Sequence, residues 1–227
     1  MSFFIADPAG DALLTRQHAL NEGNMDLRYF PADVSPFISI GRFTDEDIRR
    51  HWDAVPAQRA FSVMVVGDPQ LPADAEIILH LPLFQMHCPQ LRPFHLPAAD
   101  IRLLGPADLP AMLDLTARTR PGPFFARTPL MGAYYGLFVD DKLVSMAGER
   151  LKPPGHTEAS AICTDPDYLG RGYGSAMTTV ACAHILRNQC QPFLHVRQDN
   201  SRAIDVYKKL GFEIRADVYF AIFKKQY

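Results

Sequence analysis

A run of alternating glycines, Gly170-Arg171-Gly172-Tyr173-Gly174, is the feature that most narrows what this chain can fold into. The residues ahead of it, Thr157 to Thr164, read as a strand, and the run that begins near Ser175 reads as a helix. Glycine reaches positive φ and permits close backbone approach. Successive amides in such a turn can converge on one anion, and the start of the following helix adds partial positive charge. A pyrophosphate is the natural guest, although a plain flexible turn would use the same glycines. A dinucleotide loop does not fit, because Gly-x-Gly-x-x-Gly would need glycine at Met177 and Asp165 to Leu169 separates the strand from the turn. The chain also has no Gly-Lys-Ser/Thr of the phosphate-loop kind.

The segment downstream sharpens the reading. Phe193 to Arg197 is a second strand, and Asn200, Ala203 and Tyr207 follow at spacings that share one helix face. Asn200 stands where an N-cap belongs and Gly211 where a C′ glycine belongs. A capped amphipathic helix with a buried tyrosine would account for these residues alone. Strand, glycine turn, helix, strand and tyrosine-bearing helix together form a more specific pattern.

Pro166-Asp-Tyr-Leu-Gly-Arg-Gly-Tyr-Gly, followed by Asn200-x-x-Ala203-x-x-x-Tyr207-x-x-x-Gly211-Phe212, resembles the GNAT superfamily of acetyl-CoA-dependent N-acetyltransferases. The resemblance covers about residues 98 to 227. It implies an α/β fold of the α+β type: a mixed, mostly antiparallel sheet with flanking helices and a splayed parallel strand pair. It implies acetyl-CoA as co-substrate and no metal. Backbone groups of Ile162 and Thr164 would pair with pantetheine. Amides from Leu169 through Gly170, Arg171, Gly172, Tyr173 and Gly174 to Ser175 would hold the pyrophosphate. An amide near Ile162 or Cys163 would polarise the thioester carbonyl, and Asn200 and Ala203 would line the same groove. The family pattern usually carries Arg or Gln where this chain has Leu169, which removes a polar side chain but leaves the backbone cradle.

The resemblance further implies direct attack of an amine on the thioester. Tyr207 is the expected general acid, since a phenol near 10 can protonate a departing thiolate without ionising at neutral pH. The expected base is Glu158, on the strand before the turn, or else His195, on the neighbouring strand; either could act through water. A non-catalytic acyl-CoA sensor that keeps the fold is the alternative. The acceptor is left open. Glu149, Glu158, Tyr134 and Tyr135 would suit a cationic small amine, while a peptide N-terminus, an amino acid or a drug amine fits as well.

Residues 1 to 97 lie outside the resemblance and are read as a dimerising surface, a lid over the substrate, or a decayed copy of the same fold. Expected elements there are a helix in Asp11–Leu20, a helix capped by Thr44, and strands at Phe61–Val66 and Glu76–Phe84, the latter ending near Pro82. Trp52 is expected to anchor packing. Adjacent His87 and Cys88 would point to opposite faces of a strand and make poor metal ligands. Leu91 to Asp100 reads as a linker, and Thr119 to Met131 as a loop whose Phe124 and Phe125 either fill a satellite core or face substrate. Asp140-Asp141 reads as a hairpin turn.

The net charge of −2 gives no basic surface for nucleic acid. The cysteines Cys88, Cys163, Cys182 and Cys190 form no Cys-x-x-Cys and are expected to be reduced and buried. With no apolar run of membrane-span length and no basic leader, the chain is expected to work in the cytoplasm, away from membranes; a dimerising role for residues 1 to 97 would make it a homodimer.

Overall fold

The computed structural model describes residues 4–57, 59–67, 71–97 and 99–226. In chain order the elements are α1 (Pro8–Leu14), β1 (Leu27–Tyr29), β2 (Ile38–Ile40), α2 (Asp45–His51), β3 (Ala60–Val65), β4 (Ala75–His87), β5 (Asp100–Leu103) and α3 (Leu109–Thr119). They continue with β6 (Tyr134–Val139), β7 (Lys142–Glu149), β8 (His156–Thr164), α4 (Tyr173–Arg187), β9 (Gln191–Arg197), α5 (Ser201–Lys209) and β10 (Glu213–Lys225).

One eight-stranded sheet in the order β3-β10-β4-β9-β8-β7-β6-β5 organises the molecule, and β1 and β2 form a separate ribbon. Every neighbouring pair in the large sheet is antiparallel except β8 and β9. This is the mixed, mostly antiparallel sheet that the motifs implied. Alternation along β6 divides the two faces. Tyr134 and Phe138 pack with Met112 and Leu115 of α3, whereas Leu137 packs with Met177 and Ala181 of α4. The hairpin between β6 and β7 turns on Asp140 and Asp141, both at positive φ as a tight two-residue turn requires.

The parallel pair determines the site. β8 and β9 are bonded only over His156↔Gln191, Thr157↔Pro192 and Glu158↔Phe193. Beyond Glu158, β8 stays with β7 while β9 follows β4 from His87↔Phe193 to Leu83↔Arg197. The divergence coincides with a bulge in β8, where Ala161 adopts a φ of 50° and the register against β7 shifts between Met146 and Gly148. A bulge bends its strand and sharpens its twist, so the pair opens into a V.

The portions on either side of residue 97 share this sheet. β4 lies between β9 and β10. It runs on through Pro82, past where the sequence suggested an end. Pro82 O accepts from Gln198 N just beyond β9, so the missing N–H costs one bond at the end of that ladder. β10, a strand without a counterpart among the sequence expectations, pairs with β4 from Glu213 to Lys225 and with β3 from Tyr219 to Lys224.

Other N-terminal elements follow local chemistry. The Thr44 side chain accepts from Asp47 N and caps α2. The first helix starts and stops earlier than Asp11–Leu20, because Asp7 caps it by accepting from Gly10 N and Pro8 suits its first turn. Trp52 packs against Phe223 with its ring tilted and donates to Asp74, as a packing anchor should. All four cysteines are free and buried. No helix among the described residues is long and apolar enough to cross a membrane.

Candidate active site

The glycine turn is built to leave its amides open. Gly170 and Gly172 sit at φ of 83° and 80°, which only glycine adopts without strain. Gly172 is the N-cap of α4, which starts at Tyr173, slightly ahead of the expected Ser175. Leu169 N donates to Pro166 O and Ala176 N to Gly172 O; the amides between them, Gly170 to Ser175, have no backbone acceptor among the described residues. They border a cavity of about 390 Å³ whose walls come from the turn, from β8 and from α5. Leu169, Gly170, Gly172, Tyr173, Gly174 and Ser175 line it on one side, and Ile162, Cys163, Thr164, Asn200, Ala203 and Tyr207 on the other. Of the expected cofactor residues only Arg171 does not line it; that side chain is exposed, with its guanidinium 4.9 Å from the Tyr168 ring centroid.

The loop feeding the turn is held by Asp165. This carboxylate is almost fully covered and receives Arg118 of α3 and Lys142 of β7, each at 2.9 Å, and the Asp167 amide at 3.1 Å. The Lys142 hydrogen bond, with help from Arg118 and Asp167, holds its carboxyl well below the usual range. Sequence reasoning missed Asp165, and it missed Arg202 and Thr178, which also line the cavity. An acid directly after a strand and before Pro166 was the available signal for Asp165; Arg202 had none beyond its place in the first turn of α5.

The open edge of β8 faces the same space. Asp165 N bonds to Val144 O, so by alternation the backbone groups of Ile162 and Thr164 point away from β7 and into the V. Tyr207 reaches the floor of the V from α5, whose N-cap Asn200 accepts from Ala203 N. Burial pushes the Tyr207 phenol well above its ordinary value, and no hydrogen bond to its hydroxyl is formed by the described residues. Burial likewise raises the Cys163 thiol to about 11.

A second chamber, about 580 Å³, opens on the far side of the V. Ile162, Cys163, Thr164, Asn200 and Tyr207 line both spaces, so the two meet at the phenol. Met64, Leu79, Leu81 and Leu83 of the N-terminal portion wall this chamber, together with Phe220 and Ile222 of β10 and the Thr119–Pro123 segment. Phe124 packs edge-on against Tyr134 in the satellite core.

His195 lines the second chamber; Glu158 lines neither space and is 0% exposed. Glu158 receives Arg150 through Nε at 2.7 Å and Nη2 at 2.6 Å. Burial alone would raise its carboxyl, but attraction to Arg150 and hydrogen bonds from Arg150 and His195 outweigh burial and bring it down to about 2. Gln85 of β4 is fixed by a two-point bond to the Ile5 backbone, accepting from N at 2.7 Å and donating to O at 3.0 Å. Its remaining N–H points at His195 Nε2, 3.1 Å away. Nε2 therefore accepts, and Nδ1 carries the proton toward Glu158 Oε1 at 2.7 Å. Glu158 and His195 thus sit in a closed chain, Arg150–Glu158–His195–Gln85–Ile5.

The acidic and phenolic residues expected to attract a cationic acceptor lie elsewhere. Glu149 is buried against Lys152 and the Ala133 amide, Tyr134 is in the α3 core, and the Tyr135 hydroxyl bonds His184. None of them lines the second chamber. Among the described residues no cluster of His, Cys, Asp or Glu could hold a metal ion.

The family model of FR47-like proteins matches residues 134–221. Mycothiol acetyltransferase of Saccharomonospora viridis is 42% identical over 66 residues, 28% of this chain and 22% of that protein. The Saccharopolyspora erythraea enzyme of the same name is 34% identical over 73 residues, 32% of this chain and 24% of that one. The chain therefore spans less than a quarter of the length of these curated relatives. A protein of Novosphingobium aromaticivorans assigned to the GNAT acetyltransferase family superposes with a TM-score of 0.88 at 27% identity, covering 98% of both chains. A GCN5-related N-acetyltransferase of Kribbella flavida shares the fold, with a TM-score of 0.66 at 17% identity over 97% of this chain and 95% of that one.

Proposed function

The chain belongs to the GNAT superfamily of acetyltransferases, and from that premise we propose that it moves an acetyl group from acetyl-CoA to an amine by direct attack. One observation carries the proposal: unbonded amides at the head of α4 open onto a cavity that joins a second chamber beside a neutral phenol. When bound, acetyl-CoA supplies the acyl thioester. The amides of Gly170 to Ser175 would hold its diphosphate, and the outward backbone groups of Ile162 and Thr164 its pantetheine arm. The Novosphingobium match spans the N-terminal portion as well, in keeping with that portion being the wall of the acceptor chamber.

Tyr207 is the general acid. Its raised phenol stays protonated at neutral pH, and it gives that proton to the departing sulfur as the N–C bond forms and the C–S bond breaks. The proton lost by the amine nitrogen then returns to Tyr207 through water. Cys163 stays a thiol for the same reason of burial, which favours direct transfer over an acyl-cysteine.

Neither expected base has a free acceptor facing the chamber. Glu158 is sealed under Arg150, and His195 Nε2 already accepts from Gln85. We assign these two to holding β8, β9 and β4 in register. The amine instead enters neutral. Apolar walls and arginines, with no carboxylate among the described lining residues, disfavour an ammonium there. CoA release from acetyl-CoA over an amine panel tests the reading. Tyr207→Phe is expected to lower turnover by roughly ten- to a thousand-fold while CoA affinity is kept. Unchanged turnover removes Tyr207 from the acid role, and binding without release from any amine would favour an acyl-CoA sensor.

A further inference from the structure

The second chamber's walls report on what enters it. Met64, Leu79, Leu81, Phe220 and Ile222 occupy paired positions, Met64↔Phe220, Leu81↔Phe220 and Leu79↔Ile222, and so present one apolar face of the sheet. Among the described residues no Asp or Glu lines the chamber, whereas Arg120, Arg150 and Arg197 do. Two of these arginines are neutralised, Arg150 by Glu158 at 2.6 Å and Arg197 by Asp199 at 2.5 Å. Arg120 has no ion pair among the described residues.

Arg120 is also held in an unusual way. It ends α3 in the left-handed region, at a φ of 49°, with its N–H on Thr116 O. That conformation disfavours a non-glycine residue. Pro121 and Pro123, which follow, limit the freedom of the segment and line the chamber with it. The backbone of an exposed arginine is thus held beside a largely apolar chamber whose described lining contains no acid. A second ammonium on the acceptor would meet only cations there, while a carboxylate would meet the one unpaired guanidinium.

We infer that the acceptor is a small amino acid with an apolar side chain, its carboxylate bound by Arg120 and its side chain laid on the β3–β10–β4 face. This rests on the acetyltransferase reading of the same site. A volume of about 580 Å³ is in the range of small-ligand pockets. The amine to be acetylated then lies next to the bound carboxylate, directed at the V where Tyr207 stands.

The test compares leucine, leucinamide and 1,5-diaminopentane as acceptors, by CoA release, in the wild type, Arg120→Gln and Arg120→Lys. Taken per neutral amine, so that the different amine pKa values of the three acceptors drop out, leucine is expected to exceed the other two in kcat/KM by about tenfold or more, the worth of one charged hydrogen-bonded contact. Arg120→Gln should collapse the leucine-to-leucinamide ratio through KM, and Arg120→Lys should restore most of it. A preference for the diamine, or a ratio that survives Arg120→Gln, overturns the inference. If no acceptor releases CoA, calorimetry of N-acetyl-leucine and N-acetyl-leucinamide on the CoA-loaded protein separates the two readings. Tighter binding of the acid, lost in Arg120→Gln, upholds the acceptor class although the catalytic reading has failed; equal or absent binding of both overturns the acceptor class.

Discussion

Replacing Glu158 by Gln separates a structural role from a catalytic one, because the two predict opposite signatures. The side chain is 0% exposed and receives two bonds from Arg150 and one from His195. Its fall from an ordinary 4.5 to about 2 corresponds to about 3 kcal/mol, at about 1.4 kcal/mol per pH unit. A lowered carboxyl stabilises the fold fully above its unfolded value. That contribution therefore holds above about pH 4.5 and is lost as pH falls toward 2. The substitution also strands Arg150, only 12% exposed, and breaking a buried pair from one side costs about 3–5 kcal/mol. A chain of 227 residues loses about 2–4 °C per kcal/mol, so the melting temperature should drop by about 6–20 °C at pH 7. Scanning calorimetry of both proteins from pH 7 toward pH 3 checks this, and the gap should narrow below pH 4.5. Turnover measured well below the melting point should stay within about tenfold of wild type. A drop under 2 °C combined with a turnover loss of about a hundredfold or more would refute the reasoning and make Glu158 the base.

Two further outcomes follow from the same geometry. Gly172→Val forces a β-branched residue to a φ of 80° and puts its Cβ 2.7 Å from the Phe94 ring, so CoA affinity measured by calorimetry should fall about tenfold or more; an unchanged affinity would contradict the cradle. With no free base in the chamber, the acidic limb of kcat/KM should follow the acceptor's own amine pKa and move between two acceptors that differ in it. A limb fixed at one pH for both acceptors would point to a protein base.

The parts legible in the sequence are those written in neighbouring residues. Asn200 and Gly211 bracket α5 at the expected offsets, Asp140-Asp141 turns a hairpin, Thr44 caps α2, and the glycines mark the cradle. Each is a local solution to an orphaned backbone group or a positive φ. The insertion of β4 between β9 and β10 was not legible, since strand patterning gives a strand but not its neighbours. The placement of Glu158 was hidden for the same reason. Its strand could be read, but its partners Arg150 and His195 lie 8 and 37 residues away, and His195 meets Gln85 across 110. Alternation assigns a residue to a face without saying which charges wait there. Arg120 left no signal, because its importance comes from the absence of acids among the described residues of a chamber assembled from many separate stretches of chain.

The central claim is that the amides at the head of α4 bind a diphosphate and so aim a thioester at Tyr207. Calorimetric titration of the wild-type protein with CoA, set against pantetheine, which lacks the diphosphate, tests it most directly. The account predicts one CoA per chain and pantetheine weaker by about a hundredfold or more. No heat with CoA, or equal affinity for the two, would contradict it.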